Sequence, residues 1–157
     1  MQNIYFMDAP VGWLKIRSED GVIVEVDHAD RPKDDQDLTE VSEVIRQCVT
    51  ELEEYFSGER RTFEVPIDIT RSGTAFQRKV WRRLSEIPYG ETISYKELAL
   101  DCGGPTYSRA VANANGKNPV SIIIPCHRVI ASDGSLGGYT GGVAKKSKLL
   151  KIEETGL

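Results

Sequence analysis

Apolar and polar positions alternate near the start of the chain, which is typical of strands with one buried face. Residues 4–26 follow this pattern, most clearly over Gly12–Arg17. The pair Asp20-Gly21 is a signal for a tight two-residue turn, and the apolar run Val22–Val26 follows it. The segment therefore predicts antiparallel strands joined by a hairpin.

Helical spacing replaces this alternation after a charged loop over residues 27–37. Over residues 38–56 the apolar side chains recur every three or four positions, and Ser57-Gly58 ends the pattern. Residues 64–69 then predict an extended segment that leads out of this first unit. We therefore expect a small α/β domain with an antiparallel sheet over residues 1–70.

The second half, residues 71–157, predicts a mainly helical domain. Thr74 and Gln77 have the spacing of a capping box, and the apolar residues behind them share one helix face, namely Phe76, Val80, Leu84 and Ile87. The last predicted helix runs from about residue 143 to 154 and is expected to pack through Val143, Leu149, Leu150 and Ile152. The fold class that we expect for the whole chain is α+β.

Two short helices are predicted between residues 94 and 116. Ser94 and Glu97 form a second capping-box pair, and a Gly-Gly-Pro turn separates their helix from the alanine-rich helix Ser108–Asn115. This arrangement is typical of a DNA-binding helix-turn-helix, although two helices packed in a core have the same pattern. Arg109 either inserts into a groove or is an ordinary surface arginine.

Composition favours a globular protein without a metal or a membrane segment. Apolar residues make up 39% of the 157 residues, and no run approaches the roughly 18 apolar residues of a membrane helix. The first residues lack the basic start and apolar centre of a signal peptide, so we expect a cytoplasmic protein. Three cysteines without a C-x-x-C spacing, and only two histidines, predict neither a disulfide framework nor a metal site.

Charge is divided unevenly between the two halves. Residues 1–70 hold 7 Lys and Arg against 17 Asp and Glu, a formal charge of −10, whereas residues 71–157 hold 13 against 7, a formal charge of +6. Such a division indicates a polyanionic partner for the basic half, unless solvated surface charges simply segregate.

One cysteine lies in a setting that suits a reactive thiol. A predicted buried strand, Ile122–Ile124, leads through a proline to Cys126, and His127 follows. The thiolate is the nucleophile, and neighbouring cationic or proton-accepting groups favour it. Because proline turns the chain out of a strand, we expect the Cys126 side chain to point into a cleft. The glycine-rich residues 133–142 lack the spacing of a phosphate-binding P-loop and are expected to wall a cavity.

These motifs, taken in chain order, resemble those of the methylated-DNA–protein-cysteine methyltransferases, which repair 6-O-alkylguanine in DNA. The match covers the second half of the chain, with its most specific motifs at Ile87–Gly90, Ser94-Tyr95, Arg109–Val111, Asn118-Pro119, Pro125–Val129 and Gly138–Gly142. The first half is similar in outline to the family's small ribonuclease-H-like domain.

The resemblance implies a role for each matched residue. Cys126 would accept the alkyl group irreversibly. His127 would deprotonate the Cys126 thiol through a water, and Glu153 would orient the histidine. Contacts to the flipped nucleotide and the DNA would come from Tyr95, Thr140, the Val129 carbonyl, Asn118 in the turn, Arg109 as the finger that fills the vacated stack, and Ala110 and Ala114 in the minor groove.

The resemblance also implies direct repair without a cofactor. A monomer would bind double-stranded DNA through the minor groove and rotate the damaged nucleotide out of the stack. It would then transfer the alkyl group of O6-alkylguanine, and also of O4-alkylthymine, to Cys126 once only. Some relatives hold a zinc ion in the N-terminal domain, but Cys48 and His28 cannot supply such a site.

Two other functions stay open from the residues alone. A DNA-binding module with Cys126 as an inert buried thiol would not transfer an alkyl group or react with thiol reagents. A cysteine–histidine hydrolase or transferase would release product repeatedly, whereas thioether formation stops after about one equivalent per chain.

Overall fold

A three-stranded sheet opens the computed structural model, which describes residues 2–155. Strands β1 (Ile4–Ala9), β2 (Gly12–Glu19) and β3 (Val22–His28) pair antiparallel in chain order. The Asp20-Gly21 pair has positive φ at both residues, 50° and 79°, as a tight hairpin that matches the twist of its strands requires. The predicted hairpin between β2 and β3 is therefore confirmed.

Helix α1 (Glu43–Phe56) packs against all three strands of this sheet. Its apolar face, which includes the fully buried Ile45 and Leu52, has the predicted spacing. The helix does not begin at residue 38, as the pattern predicted. Leu38–Glu40 forms a separate 3-10 turn, and Gln2 accepts from the Ser42 amide and donates to the Glu40 carbonyl. This pairing with the chain start takes the backbone groups that a longer helix would have used.

Helices dominate the second half of the described chain. They are α2 (Ala75–Leu84), α3 (Tyr95–Cys102), α4 (Ser108–Gly116) and α5 (Val143–Thr155). Thr74 and Gln77 make both bonds of the predicted capping box, and Ser94 accepts from the Glu97 amide at the start of α3. Val143 is 50% exposed, so the expectation that it packs was wrong, because it lies in the uncovered first turn of α5.

The outer edge of β3 connects the two halves of the chain. The Ile23 amide donates to the Pro66 carbonyl at 2.9 Å, and further along β3 the Val26 amide donates to the Pro119 carbonyl at 2.9 Å. The Val26 carbonyl in turn accepts from the Ser121 amide at 2.8 Å. The segment that precedes the cysteine motif therefore docks on the sheet of the first half.

This docked segment contains a tight turn where the isoleucine run predicted a strand. Ile122 has a φ of 73°, and Ser121 and Ile124 bridge each other across the turn. Positive φ is unfavourable for a β-branched residue, so the turn holds Ile122 in a strained conformation. The prediction was wrong because Ile122 and Ile124 are both buried, and burial alone does not distinguish a strand from a turn inside the core.

The architecture is α+β, as predicted. A two-residue parallel pair, β4 (Ile93–Ser94) with β5 (Val129–Ile130), supplements the three-stranded sheet. Buried side chains from both halves form one hydrophobic cluster. Among residues 2–155, no helix is both long enough and apolar enough to span a bilayer.

Candidate active site

Cys126 begins a single 3-10 turn, Cys126–Arg128, which leads directly into β5. The residue is 1% exposed, and burial raises the pKa of its thiol to about 11. A hydrogen bond with the Asn118 side chain and the positive charge of Lys146 lower the pKa, but burial outweighs them. The resting side chain is therefore a neutral thiol, which needs a base to become a nucleophile.

His127, the next residue in the chain, offers such a base. Its ring is fully buried, and Nε2 lies 2.6 Å from Glu153 Oε2. Because an ionised carboxylate only accepts hydrogen bonds, we assign the ring proton to Nε2. The buried Nδ1 has no protein partner among the described residues. Burial lowers the pKa of His127 and outweighs the opposite effect of Glu153, so Nδ1 keeps a lone pair that can take up a proton.

Glu153 reaches this histidine from α5 and is held by several donors. From the described part of the chain, its carboxylate accepts from Tyr55 at 2.6 Å, from His127 at 2.6 Å, from Arg128 at 2.7 and 3.0 Å, and from the Gly90 amide at 3.3 Å. Burial opposes ionisation of Glu153, but the hydrogen bonds and charges of His127 and Arg128 lower its pKa to about 2. Glu153 is therefore a fixed anion in the core.

Asn118 closes the turn in front of the cysteine. Its side-chain nitrogen donates to the Ile124 carbonyl at 2.7 Å, and its oxygen accepts from the Val120 amide at 3.0 Å. The two bonds span the strained turn at Ile122. Asn118 therefore holds the backbone that positions Cys126, in agreement with the place in a turn that the resemblance implied.

A cleft of about 520 Å³ opens beside the cysteine motif, which is within the usual size range of small-molecule sites. The Tyr95 hydroxyl lies 3.4 Å from Asn115 Nδ2, and the same nitrogen donates to the Cys126 carbonyl at 3.3 Å. Thr140 donates to the Gly116 carbonyl at 3.0 Å. The cleft is lined by Tyr95, Ala112, Asn115, Gly116, Gly138, Tyr139 and Thr140. Tyr95, Thr140 and the glycine-rich loop thus meet, as expected.

The glycine-rich loop is tied to β5 by a buried lysine. Lys146 Nζ donates to the carbonyls of Val129 at 2.6 Å, Gly138 at 3.1 Å and Leu136. Burial lowers the pKa of Lys146 to about 8, against the opposing effect of Cys126. The Val129 carbonyl, expected to accept from the flipped base, already accepts from Lys146.

The residues of helix α4 that were expected to contact DNA differ in their exposure. Arg109 and Ala110 are exposed, so their side chains are free to reach a partner. Ala114 is fully buried, and its carbonyl accepts from the Trp81 indole at 2.8 Å. The expectation that Ala114 contacts the minor groove was therefore wrong, because Ala114 shares the core-facing side of α4 with Val111.

Several residues of the site were missed in the sequence. Lys146 is one of four lysines in α5, and it precedes Leu149 and Glu153 at spacings of three and seven, which place all three on one helix face. The same rule puts Asn115 on the buried side of α4. Tyr55 carries no such local signal, because its partner Glu153 lies 98 residues further on.

The fold and the site define a class of proteins in which a buried cysteine follows a pair of consecutive helices. Residues 75–155 match the family described as 6-O-methylguanine DNA methyltransferase, DNA binding domain, and residues 4–69 match its ribonuclease-like domain. The chain belongs to the 6-O-methylguanine DNA methyltransferase family. The resemblance inferred from the motifs is thereby confirmed.

Individual relatives agree with this assignment. A methylated-DNA–protein-cysteine methyltransferase of Methanosarcina barkeri is 50% identical over 121 residues, which cover 77% of this chain and 75% of that protein. One of Mycolicibacterium paratuberculosis is 42% identical over 149 residues, covering 94% and 89%. The crystal structure of Mycobacterium tuberculosis OGT in complex with DNA is similar at a TM-score of 0.83 and 38% identity, covering 97% of this chain and 93% of that one.

Proposed function

We propose that the protein repairs DNA by transferring the alkyl group of O6-alkylguanine to its own Cys126. The family and the names of the relatives support this activity, and the DNA complex of the Mycobacterium tuberculosis protein supports DNA as the partner. The observation that carries the proposal is the buried hydrogen bond between Glu153 and His127, the residue after Cys126, which leaves the histidine Nδ1 without a partner among residues 2–155.

The chemistry follows from the protonation states of these groups. Cys126 passes its proton through a water to His127 Nδ1, and Glu153 stabilises the imidazolium that forms. The thiolate sulfur then bonds to the alkyl carbon while the bond from that carbon to O6 breaks. The bonding electrons stay on the base, which takes up a proton and becomes guanine. A thioether has no leaving route, so each chain reacts once.

Access to the buried thiol requires the damaged nucleotide to leave the helix. A stacked base cannot present its O6 substituent to a side chain that is 1% exposed, so the nucleotide rotates into the cleft beside Tyr95 and Thr140. Helix α4 would lie in the minor groove, and the exposed Arg109 would fill the vacated stack. Binding to undamaged DNA is then expected to be salt-dependent and largely independent of sequence.

The proposal extends to the domain organisation of the chain and to the range of lesions that it repairs. The chain would act as a cytoplasmic monomer without a cofactor, with residues 1–70 as the N-terminal domain and 71–157 as the domain that binds DNA and accepts the alkyl group. The site would also accept O4-alkylthymine, because this lesion presents an alkylated oxygen in a similar position on a base.

A titration tests the proposal. Increasing amounts of protein are mixed with a fixed amount of duplex DNA that contains 6-O-methylguanine, and the remaining lesion is counted. We expect repair to stop at one lesion per chain, and Cys126→Ala to bind the same DNA without repairing it. Repair of many lesions per chain would show a turnover enzyme and contradict the proposal.

A further inference from the structure

The carboxylate that orients His127 is also bonded by a side chain from the first half of the chain. Tyr55, on α1, donates its hydroxyl to Glu153 Oε2 at 2.6 Å, and the same oxygen contacts His127 Nε2 at 2.6 Å. Tyr55 and His127 are both fully buried. The two hydrogen bonds therefore share one buried acceptor atom, which also accepts from Arg128 Nη2 at 3.0 Å.

Tyr55 can act in this place only as a donor. Burial raises the pKa of Tyr55 far above its usual value, and the negative charge of Glu153 raises it further. The phenol therefore keeps its proton throughout the physiological pH range, while Glu153 stays ionised. A permanent donor on a permanent acceptor fixes the position of Oε2 and does not itself move a proton.

The ring of Tyr55 is in turn held by its aromatic neighbours. The rings of Phe56, Phe63 and Tyr89 surround it at centroid distances of 5.3, 5.6 and 6.2 Å. Such packing restricts the ring to one orientation. The hydroxyl consequently stays directed at Glu153.

We propose that Tyr55 is a positioning residue for alkyl transfer, which holds Glu153 Oε2 so that His127 presents Nδ1 to the thiol. The inference rests on the relay proposed above. It gives the ribonuclease-like half of the chain a direct part in the reaction, because α1 supplies a group to a relay whose other members lie in the second half.

The dependence of the rate on pH distinguishes positioning from packing. The titratable and charged groups that act on Glu153 and His127 include Tyr55, Arg128, Lys146 and His28. The phenol of Tyr89 lies near the carboxylate but is directed at the Ile152 carbonyl. Loss of the Tyr55 hydroxyl leaves more negative charge on Oε2, which favours the imidazolium and raises the pKa of His127. Less neutral imidazole is then present at a given pH, so the acidic limb of the rate profile moves to higher pH.

The experiment compares Tyr55→Phe with the matched control Tyr89→Phe. The control removes a hydroxyl from the same aromatic cluster, but this hydroxyl lies 3.4 Å from the Ile152 carbonyl and does not bond to Glu153. Methyl transfer from duplex DNA containing 6-O-methylguanine is measured between about pH 6 and pH 9. We expect Tyr55→Phe to be about tenfold slower at neutral pH, a loss similar to that on removing a residue that orients a metal-binding histidine. The acidic limb of its rate profile should lie at higher pH. The control should follow the wild-type profile.

Three results would overturn the inference. These are a wild-type profile for folded Tyr55→Phe, an equal loss of rate in both variants, and a slower rate with an unmoved acidic limb. If Tyr55→Phe does not fold, 3-fluorotyrosine at Tyr55 keeps the hydroxyl and makes it a stronger donor. The acidic limb should then move to lower pH, and an unmoved limb again overturns the inference. Failure of the wild-type protein to transfer methyl groups would instead refute the proposed function.

Discussion

The substitution Glu153→Gln removes the negative charge on which the proposed relay is built. Glu153 and Arg128 are 4% and 6% exposed, and two hydrogen bonds of 2.7 and 3.0 Å join them. In the variant the Arg128 guanidinium stays buried without this anion. Breaking a buried ion pair in this way typically costs about 3–5 kcal/mol.

The pKa of Glu153 gives a second value for the expected loss in the free energy of unfolding. It falls from 4.5 to about 2 on folding, since the bonds from His127 and Arg128 outweigh the opposing effect of burial. At about 1.4 kcal/mol for each unit of pKa, the ionised carboxylate contributes about 3 kcal/mol to the free energy of unfolding at pH 7. A typical domain has only about 5–15 kcal/mol in total, so the loss would be large.

The stabilisation by ionised Glu153 depends on pH, because its pKa differs between the folded and unfolded states. The pKa is lower in the folded state than in the unfolded state, so the stabilisation is complete above pH 4.5 and is lost as the pH falls towards 2. At pH 3.5 the unfolded chain already binds the proton, and about 1.4 kcal/mol of the stabilisation has gone. The difference between wild type and variant should therefore narrow on acidification.

Urea unfolding at pH 7 and at about pH 3.5 measures both effects. Glu154→Gln, an exposed neighbour on the same helix, is the matched control and should change the free energy of unfolding by less than about 0.5 kcal/mol. A difference below about 1 kcal/mol for Glu153→Gln at pH 7, or one that is the same at both pH values, would refute this account of the carboxylate.

Three further substitutions test other parts of the site. Arg109→Ala should slow transfer from duplex DNA about tenfold while leaving reaction with the free base unchanged, and equal losses would contradict the finger role. Asn118→Ala removes a bond that lowers the pKa of Cys126, so iodoacetamide should alkylate this thiol several-fold more slowly, as read by peptide mass spectrometry; an unchanged rate would speak against this bond. Gly141→Ala would place a methyl group 2.6 Å from the His28 ring and should cost about 1–3 kcal/mol in thermal unfolding, whereas an unchanged melting temperature would mean that the loop yields.

The sequence predicted the features that depend on neighbours along the chain. The Asp20-Gly21 hairpin, the Thr74 cap and the two consecutive helices α3 and α4 each need only a few adjacent residues to specify them. Cys126 was singled out for the same reason, because its proline and histidine neighbours are adjacent. Motif order then identified the family, which the comparisons confirmed.

Features that depend on distant contacts were predicted poorly. The turn at Ile122 forms because β3 supplies bonds to Pro119 and Ser121, which the isoleucine run does not reveal. Lys146 is buried because three backbone carbonyls from another segment surround its ammonium group. The Tyr55 hydroxyl acquires its partner only when α1 and α5 meet in the folded chain.

The most direct test of the central claim is mass spectrometry of the protein after it has reacted with duplex DNA containing 6-O-methylguanine. We predict a gain of one methyl group per chain, confined to the peptide that contains Cys126. Loss of the lesion without a gain in protein mass would point to a turnover enzyme. An intact lesion on DNA that is bound by the protein would point to a damage-sensing module, and either result would contradict transfer to Cys126.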